Sequence, residues 1–312
     1  MAPHRTITGL AALLALTTLV HCAEKSKSTS SSDPTCTGAQ ALQTLGIRGS
    51  SMEPKSIALT FDDGPGPRTK QLSKYLKEQG IQAAFFVNGR AMGAGSAEIL
   101  AQIVADGHLV ANHTENHKSL TGRSTGESRI GDGEVIAELE QTDSKIAQYV
   151  KGDRFLFRPP FGDYDEGTIA ALQATAMNKY VGPILWDVGD KMDEPNGRVA
   201  DWDCWQDGAD GKRTPMAQCG DLYITEIKRA SRGIVLLHDP YFNDQDPEQL
   251  GTVDMTMYMV PKLKEEGFTF VRVDKIPEVA KLLPPLTAEE LDGGTGEAGS
   301  TDPSATGGNP CP

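Results

Sequence analysis

Between Ser56 and Val273 the chain alternates short apolar runs with stretches of helical periodicity, an order that few folds accommodate. SIALTF at 56–61 has strand character. RTKQLSKYLKEQG at 68–80 then puts Leu72, Tyr75 and Leu76 on one helical face and stops at Gly80. AAFFV at 83–87, a helix around 96–106, and GHLVANH continue the alternation, followed by a helix over 135–150 with Val135, Leu139, Ile146 and Val150 on its apolar side. RFLFRPP, YVGPILWDV and GIVLLHD (233–239) read as further strands, and FTFVRV closes the series after a helix carrying Met255, Met259 and Leu263 as core filler. Strand–helix repetition of this kind predicts a parallel sheet, open or closed into a barrel. In such folds the C-terminal strand ends gather the active site, and here the polar clusters follow strands.

The flanks lie outside this pattern. Residues 1–21 join Arg5 to the apolar run GLAALLALTTLV, which is too short for a membrane span and reads as a secretory signal. The leader reaches Cys22 in the manner of a bacterial lipoprotein signal, although His21 stands where a small residue is usual; plain secretion is the alternative. A serine-rich tether and lead-in over 23–50, a folded unit over 51–285 and a glycine-rich tail over 286–312 complete the division. Export leads to a cell-envelope lipoprotein, with the outer membrane as one destination, or to a secreted protein. At 312 residues the chain exceeds one ordinary core, yet α/β barrels reach about 250 residues as one domain. A formal charge of −13 without a basic block excludes phosphate-backbone binding, so no nucleic-acid partner is expected.

Export also governs the cysteines. Apart from Cys22, four of the five remain, an even number that favours disulfides in an oxidising compartment. Cys204–Cys219 and Cys36–Cys311 are the pairing chosen among three connectivities.

Four clusters carry chemistry. In NHTENH, His113 and His117 stand four apart. On a helical turn that spacing puts both on one face, with Cβ atoms roughly 5–6 Å apart, close enough to share a metal. The H-E-x-x-H protease pattern fails because Thr114 follows His113 and Glu115 comes one place late. In TFDDGP, Asp62 and Asp63 leave a strand together; adjacent residues point to opposite sides, so one carboxylate can bind metal while the other accepts a proton. RPPFG adds Arg158, a permanent cation able to grip a carboxylate, and a stiff turn that can present the Phe161 N–H. LLHD places His238 at a strand end, whereas His108 has no polar motif around it.

In this order, TFDDGP, HTENH, RPPFG and GIVLLHD resemble the polysaccharide deacetylase family, carbohydrate esterase family 4, also called the NodB-homology domain. The resemblance covers about residues 55–273. It implies a distorted (β/α) barrel and a metal-dependent hydrolase. Asp63, His113 and His117 would be the ligands of one divalent ion, zinc before cobalt or another first-row metal. Asp62 would be the general base oriented by Arg158, His238 the general acid, Phe161 a backbone donor to the oxyanion, and Leu236 a wall for the acetyl methyl. The family's fourth motif, Asp-x-x-Asp-Trp, departs here. Asp187 and Asp190 keep the spacing, but Lys191 replaces the tryptophan, and an Asp201–Trp202 pair lies beyond an insertion. Asp187 is chosen as the residue that tunes His238. The implied activity is removal of N-acetyl groups from N-acetylglucosamine-type residues of peptidoglycan, chitin-like or surface glycans. O-acetyl ester hydrolysis, as on xylan, and a non-catalytic glycan-binding module are the alternatives.

Overall fold

The computed structural model describes residues 41–191, 198–206, 213–239 and 251–285. The leader, Cys22, the proposed Cys36–Cys311 bridge and the 286–312 tail lie outside the described residues.

Strand β2 (Ser56–Asp62) is buried along its whole length, which is why its sequence is an unbroken apolar run rather than an alternating one. It pairs in parallel with β3 (Ala84–Val87) on one side and β6 (Arg232–His238) on the other, and β3 pairs with β4 (Leu109–Asn112). Parallel bridges Asn112–Phe157, Leu156–Val181 and Val188–Val235 carry the series around to β6, so the staves close into a distorted barrel. Short β7 (Thr269–Phe270) joins the start of β2.

The two faces of each strand divide the core. Leu59, Phe61, Phe85, Val235 and Leu237 face outward to Leu72 and Leu76 of α1 (Thr69–Glu78), Leu100 and Ile103 of α2 (Ser96–Ala105), and Val253, Met259 and Leu263 further along the chain. Ala58, Ala84, Phe86, Ala111 and Ile234, one position out of phase, pack inward with Leu156, Val181 and Ile184. The period of two therefore turns Thr60 and Asp62 into the barrel interior. The helices between staves are α3 (Asp132–Ile146), α4 (Glu166–Gln173), α6 (Met216–Ala230) and α7 (Thr252–Glu265), with one-turn α5 (Asp201–Cys204) before α6 and α8 (Pro277–Ala280) at the end. Met255 and Met259 are core residues, as their helical spacing indicated.

Two expectations are corrected. The folded unit begins before residue 51, because β1 (Leu42–Ile47) pairs in parallel with β5 (Gly182–Ile184) and buries Leu42 and Ile47. Its exposed Thr44 and Leu45, beside a half-buried Gln43, make it an outer strand with a weak apolar signature. RFLFRPP and FTFVRV contribute only isolated bridges and a two-residue strand, since irregular backbone takes over where the barrel distorts.

Candidate active site

Register builds the site first. Along the β2–β6 pair, Asp62 lies opposite His238 and Thr60 opposite Leu236, so two titratable groups meet at one strand end. Beyond Asp62 the backbone turns sharply: Asp63 adopts φ 68°. That turn overrides the expectation that adjacent carboxylates diverge. His113 Nε2 is 3.6 Å from Asp62 Oδ2 and 3.6 Å from Asp63 Oδ1. What separates the two aspartates is their partners.

Asp62 Oδ1 accepts a 2.6 Å bond from Arg158 Nη1, with both residues buried. A buried cation is costly unless its hydrogen bonds are met. Arg158 also donates to Thr60 Oγ1 at 3.0 Å and to the Ile184 carbonyl at 2.9 Å, and its guanidinium stacks 4.1 Å from the Phe86 ring centre. Burial pushes the Asp62 carboxyl upward, and Arg158 pulls against that shift without cancelling it. Asp63 Oδ1, by contrast, is buried without a hydrogen-bond partner.

His113 and His117 complete the cluster, though not on a helix as their spacing suggested. They occupy an irregular turn after β4 in which Thr114 and His117 take positive φ, 67° and 56°. For residues with a Cβ that conformation costs roughly 1–2 kcal/mol each. Hydrogen bonds offset it. Asn112 Oδ1 accepts from the Thr114 N–H at 2.9 Å, the Glu138 carbonyl accepts from the Glu115 N–H at 2.8 Å, and the Glu138 carboxylate accepts from the Asn116 N–H at 2.7 Å. Glu115, turned from the site, pairs with Lys145.

His113 Nδ1 donates to the Arg158 carbonyl at 2.8 Å, which leaves the Nε2 lone pair toward Asp63. Burial lowers the His113 pKa to about 3 and lowers that of His117 as well, so both rings are neutral. His117 Nε2 lies 3.4 Å from Asp63 Oδ1, and the donor atoms of Asp63, His113 and His117 all fall within 4.8 Å of one another. A partnerless carboxylate oxygen beside two neutral imidazoles fits a first-row divalent ion. Among the described residues no other His/Cys/Asp/Glu cluster has this form.

The fourth-motif expectation is corrected. Asp187 Oδ2 accepts the backbone N–H groups of Gly49 at 2.9 Å and Ile234 at 2.8 Å, tying β6 to the lead-in, and makes no bond to His238. Asp201 takes the role instead: its Oδ1 is 2.7 Å from His238 Nδ1 and its Oδ2 accepts the His238 N–H at 2.6 Å. The insertion moves the partner fourteen residues along the chain, beyond the reach of strand-periodicity reasoning; the Asp201–Trp202 pair was the available signal. Burial lowers the His238 pKa, but the Asp201 carboxylate more than compensates, raising it to about 9. The Cys204–Cys219 disulfide is present, with a Cα separation of 6.1 Å.

A cavity of about 430 Å³ opens over these groups, lined by Asp62, Asp63, His113, His117, His238 and Leu236, with Phe161, Trp186 and Trp202 around them. Phe161, at φ 58° and 48% exposed, packs its ring 4.6 Å from that of His117. Asp190 also lines the cavity and accepts from Trp186 Nε1 at 3.3 Å.

The family model described as polysaccharide deacetylase matches residues 49–180. A peptidoglycan-N-acetylglucosamine deacetylase of Bacillus cereus is 30% identical over 226 residues, covering 71% of this chain and 88% of that protein. A chitooligosaccharide deacetylase of Bradyrhizobium is 28% identical over 69% of this chain and 87% of its own length. A chitin deacetylase of Cryptococcus neoformans is 33% identical over 128 residues, and the chain spans only 25% of it. A crystal structure of a peptidoglycan N-acetylglucosamine deacetylase superposes with a TM-score of 0.53 at 22% identity, over 76% of this chain and 92% of that one, which speaks to the fold. With the barrel, the ordered motifs and a relative aligned over most of its length, the chain belongs to the polysaccharide deacetylase family.

Proposed function

We propose that this protein is a metal-dependent hydrolase that removes N-acetyl groups from N-acetylglucosamine-type residues of a polymer. The observation that carries the reading is the pairing of opposed acid and base. Asp62 is held by Arg158 and His238 by Asp201, and the two face each other in register beside the Asp63–His113–His117 cluster. Environments that push two titratable groups apart assign their roles.

A divalent ion held by Asp63, His113 and His117, zinc being the first candidate, would supply Lewis acidity to the acetyl carbonyl and to the attacking water. Asp62, fixed by Arg158, accepts the proton of that water. Phe161, on the cavity rim, is assigned the developing oxyanion through its backbone N–H, a preorganised donor of the kind that stabilises such charge. His238, kept protonated by Asp201, delivers a proton to the departing nitrogen. An amine leaves poorly without that proton, whereas an ester alkoxide needs it less, so the retained acid supports amide over ester substrates. Leu236, 3% exposed on the cavity floor, suits the acetyl methyl. A purely glycan-binding module would have no use for both dyads.

The relatives' names support amino-sugar polymers as the substrate class. Acetylated chitooligosaccharides, peptidoglycan fragments and acetylated xylan, followed by mass loss of one acetyl per event, form the test. We expect loss from the first two; loss from xylan esters alone would overturn the N-deacetylase reading and leave an esterase. The leader ending at Cys22 supports export to the envelope. Cys22→Ser is expected to shift the protein from membrane to soluble fractions, and unchanged fractionation would argue for plain secretion.

A further inference from the structure

Asp201 sits on α5, a single helical turn outside the barrel, and one turn has too few internal hydrogen bonds to hold itself. Its carboxylate is nevertheless saturated. Besides two bonds from His238 it accepts from the Trp202 N–H at 2.9 Å and from Thr252 Oγ1 at 3.1 Å. The backbone under it is fixed by α6. Cys219, Tyr223 and Glu226 recur at i, i+4 and i+7, one helix face. They grip the 199–204 segment in antiparallel order. Cys219 is bonded to Cys204, Tyr223 Oη accepts the Asp201 N–H at 2.9 Å, and Glu226 Oε2 accepts the Val199 N–H at 2.8 Å. The Tyr223 hydroxyl also donates to the Leu236 carbonyl at 3.0 Å, so one buried oxygen ties the aspartate's backbone to the strand that carries His238.

We propose that this face of α6 is a clamp that positions Asp201 against His238, with Tyr223 as its central positioning residue. It compensates for the insertion that separates Asp201 from the strand ending near Asp187. The proposal rests on the deacetylase reading for its consequence, namely delivery of a proton to the leaving nitrogen, but the geometry it concerns can be read without turnover.

Tyr223→Phe keeps the ring's packing and removes both hydrogen bonds. In the metal-loaded full chain, acetyl-amide turnover is expected to fall about tenfold or more, and hydrolysis of an activated aryl acetate less than twofold. The His238 ring titration followed by NMR, with Asp201, Asp62 and Asp63 as the charges around it, is expected to move from about 9 toward 6.5. Tyr258→Phe, which removes only surface bonds, to Asp221 of α6 and from Lys262 of α7, leaves both readings unchanged. A Cys204→Ala/Cys219→Ala double variant moves both in the same direction as Tyr223→Phe and serves if that variant is poorly folded. Amide and ester rates falling in parallel, or a His238 titration unmoved in Tyr223→Phe, would overturn the clamp. A wild type inactive on every acetyl substrate, with the His238 titration still shifting in Tyr223→Phe, would sink the deacetylase reading and keep the clamp.

Discussion

His108 and His113 bracket strand β4, and both are buried, 3% and 2% exposed. Burial holds both rings toward the neutral form. They differ in what their nitrogens do. At the N-terminal end, His108 Nδ1 accepts the Ala83 N–H at 3.1 Å and Nε2 donates to the Ser73 carbonyl at 2.9 Å, so the backbone consumes the whole ring. At the C-terminal end, His113 spends Nδ1 on the Arg158 carbonyl and turns Nε2 toward Asp63 Oδ1, which has no hydrogen-bond partner. The cavity beside His108 is the larger, about 650 Å³ against 430 Å³. Among its charges, Lys77 pairs with Asp106, and Arg154 and Arg272 with Asp274. Burial, a displaced pKa and an adjoining cavity are therefore common to both ends. An uncommitted lone pair among convergent donors distinguishes one.

The contrast is broken most directly by removing each ring. His113→Ala is expected to abolish both deacetylation and metal retention, taking elemental analysis from about one ion per chain to none; an active, metal-free variant would end the metal assignment. His108→Ala keeps the ion. Next in size, Asp62→Asn is expected to lower turnover by about 10²–10⁴-fold, the usual worth of an acid–base partner, with ion content unchanged. Loss of the ion in this variant would mean that Asp62 is a ligand.

The two candidate partners of His238 give the third comparison. His238 protonated below about 9 should sustain amide hydrolysis up to that pH, with activity falling above it as the acid form is lost. Asp201→Asn should bring that alkaline limb down toward 6.5. Asp187→Ala leaves the limb in place and costs about 1–3 kcal/mol of stability through the buried N–H groups it strands, measured by urea unfolding. Equal alkaline limbs in the two variants would show that the dyad is misassigned.

The smallest effect is in stability against pH. His108 has its folded pKa lowered below 6.5, chiefly by burial, so the unfolded chain binds more protons in mild acid. Its stabilising contribution is complete above 6.5 and is lost as pH falls, at a slope of up to about 1.4 kcal/mol per pH unit until the folded pKa is reached. Urea unfolding between pH 7 and 5 should show this slope reduced in His108→Gln. An identical slope would mean that the ring is already protonated in the fold.

Much of this arrangement is legible in sequence because it is local. The six-residue run SIALTF followed by two aspartates is enough to place Asp62 at a strand end, and GIVLLHD does the same for His238. Other features depend on contacts between distant segments. The left-handed turns at Asp63, Thr114 and His117 have no glycine to announce them. Helical spacing was thus a sound guide to the proximity of His113 and His117 and a wrong guide to its cause. Strand β1 escaped notice because most of its side chains face outward and its pairing with β5 spans about 140 residues.

By itself, the amino-acid order determined the alternation of staves and helices and the four clusters that end up together. Each follows from side-chain periodicity over a few residues, which operates without knowledge of the rest of the chain. Tertiary structure alone decided between Asp187 and Asp201. Both are aspartates near the end of the same insertion-bearing segment, and nothing in local propensity separates them. The choice was made by where the 199–204 turn docks, and that is set by three residues of α6 reaching across a gap in sequence: a disulfide, a tyrosine hydroxyl and a buried carboxylate whose partners exist only once the barrel has closed.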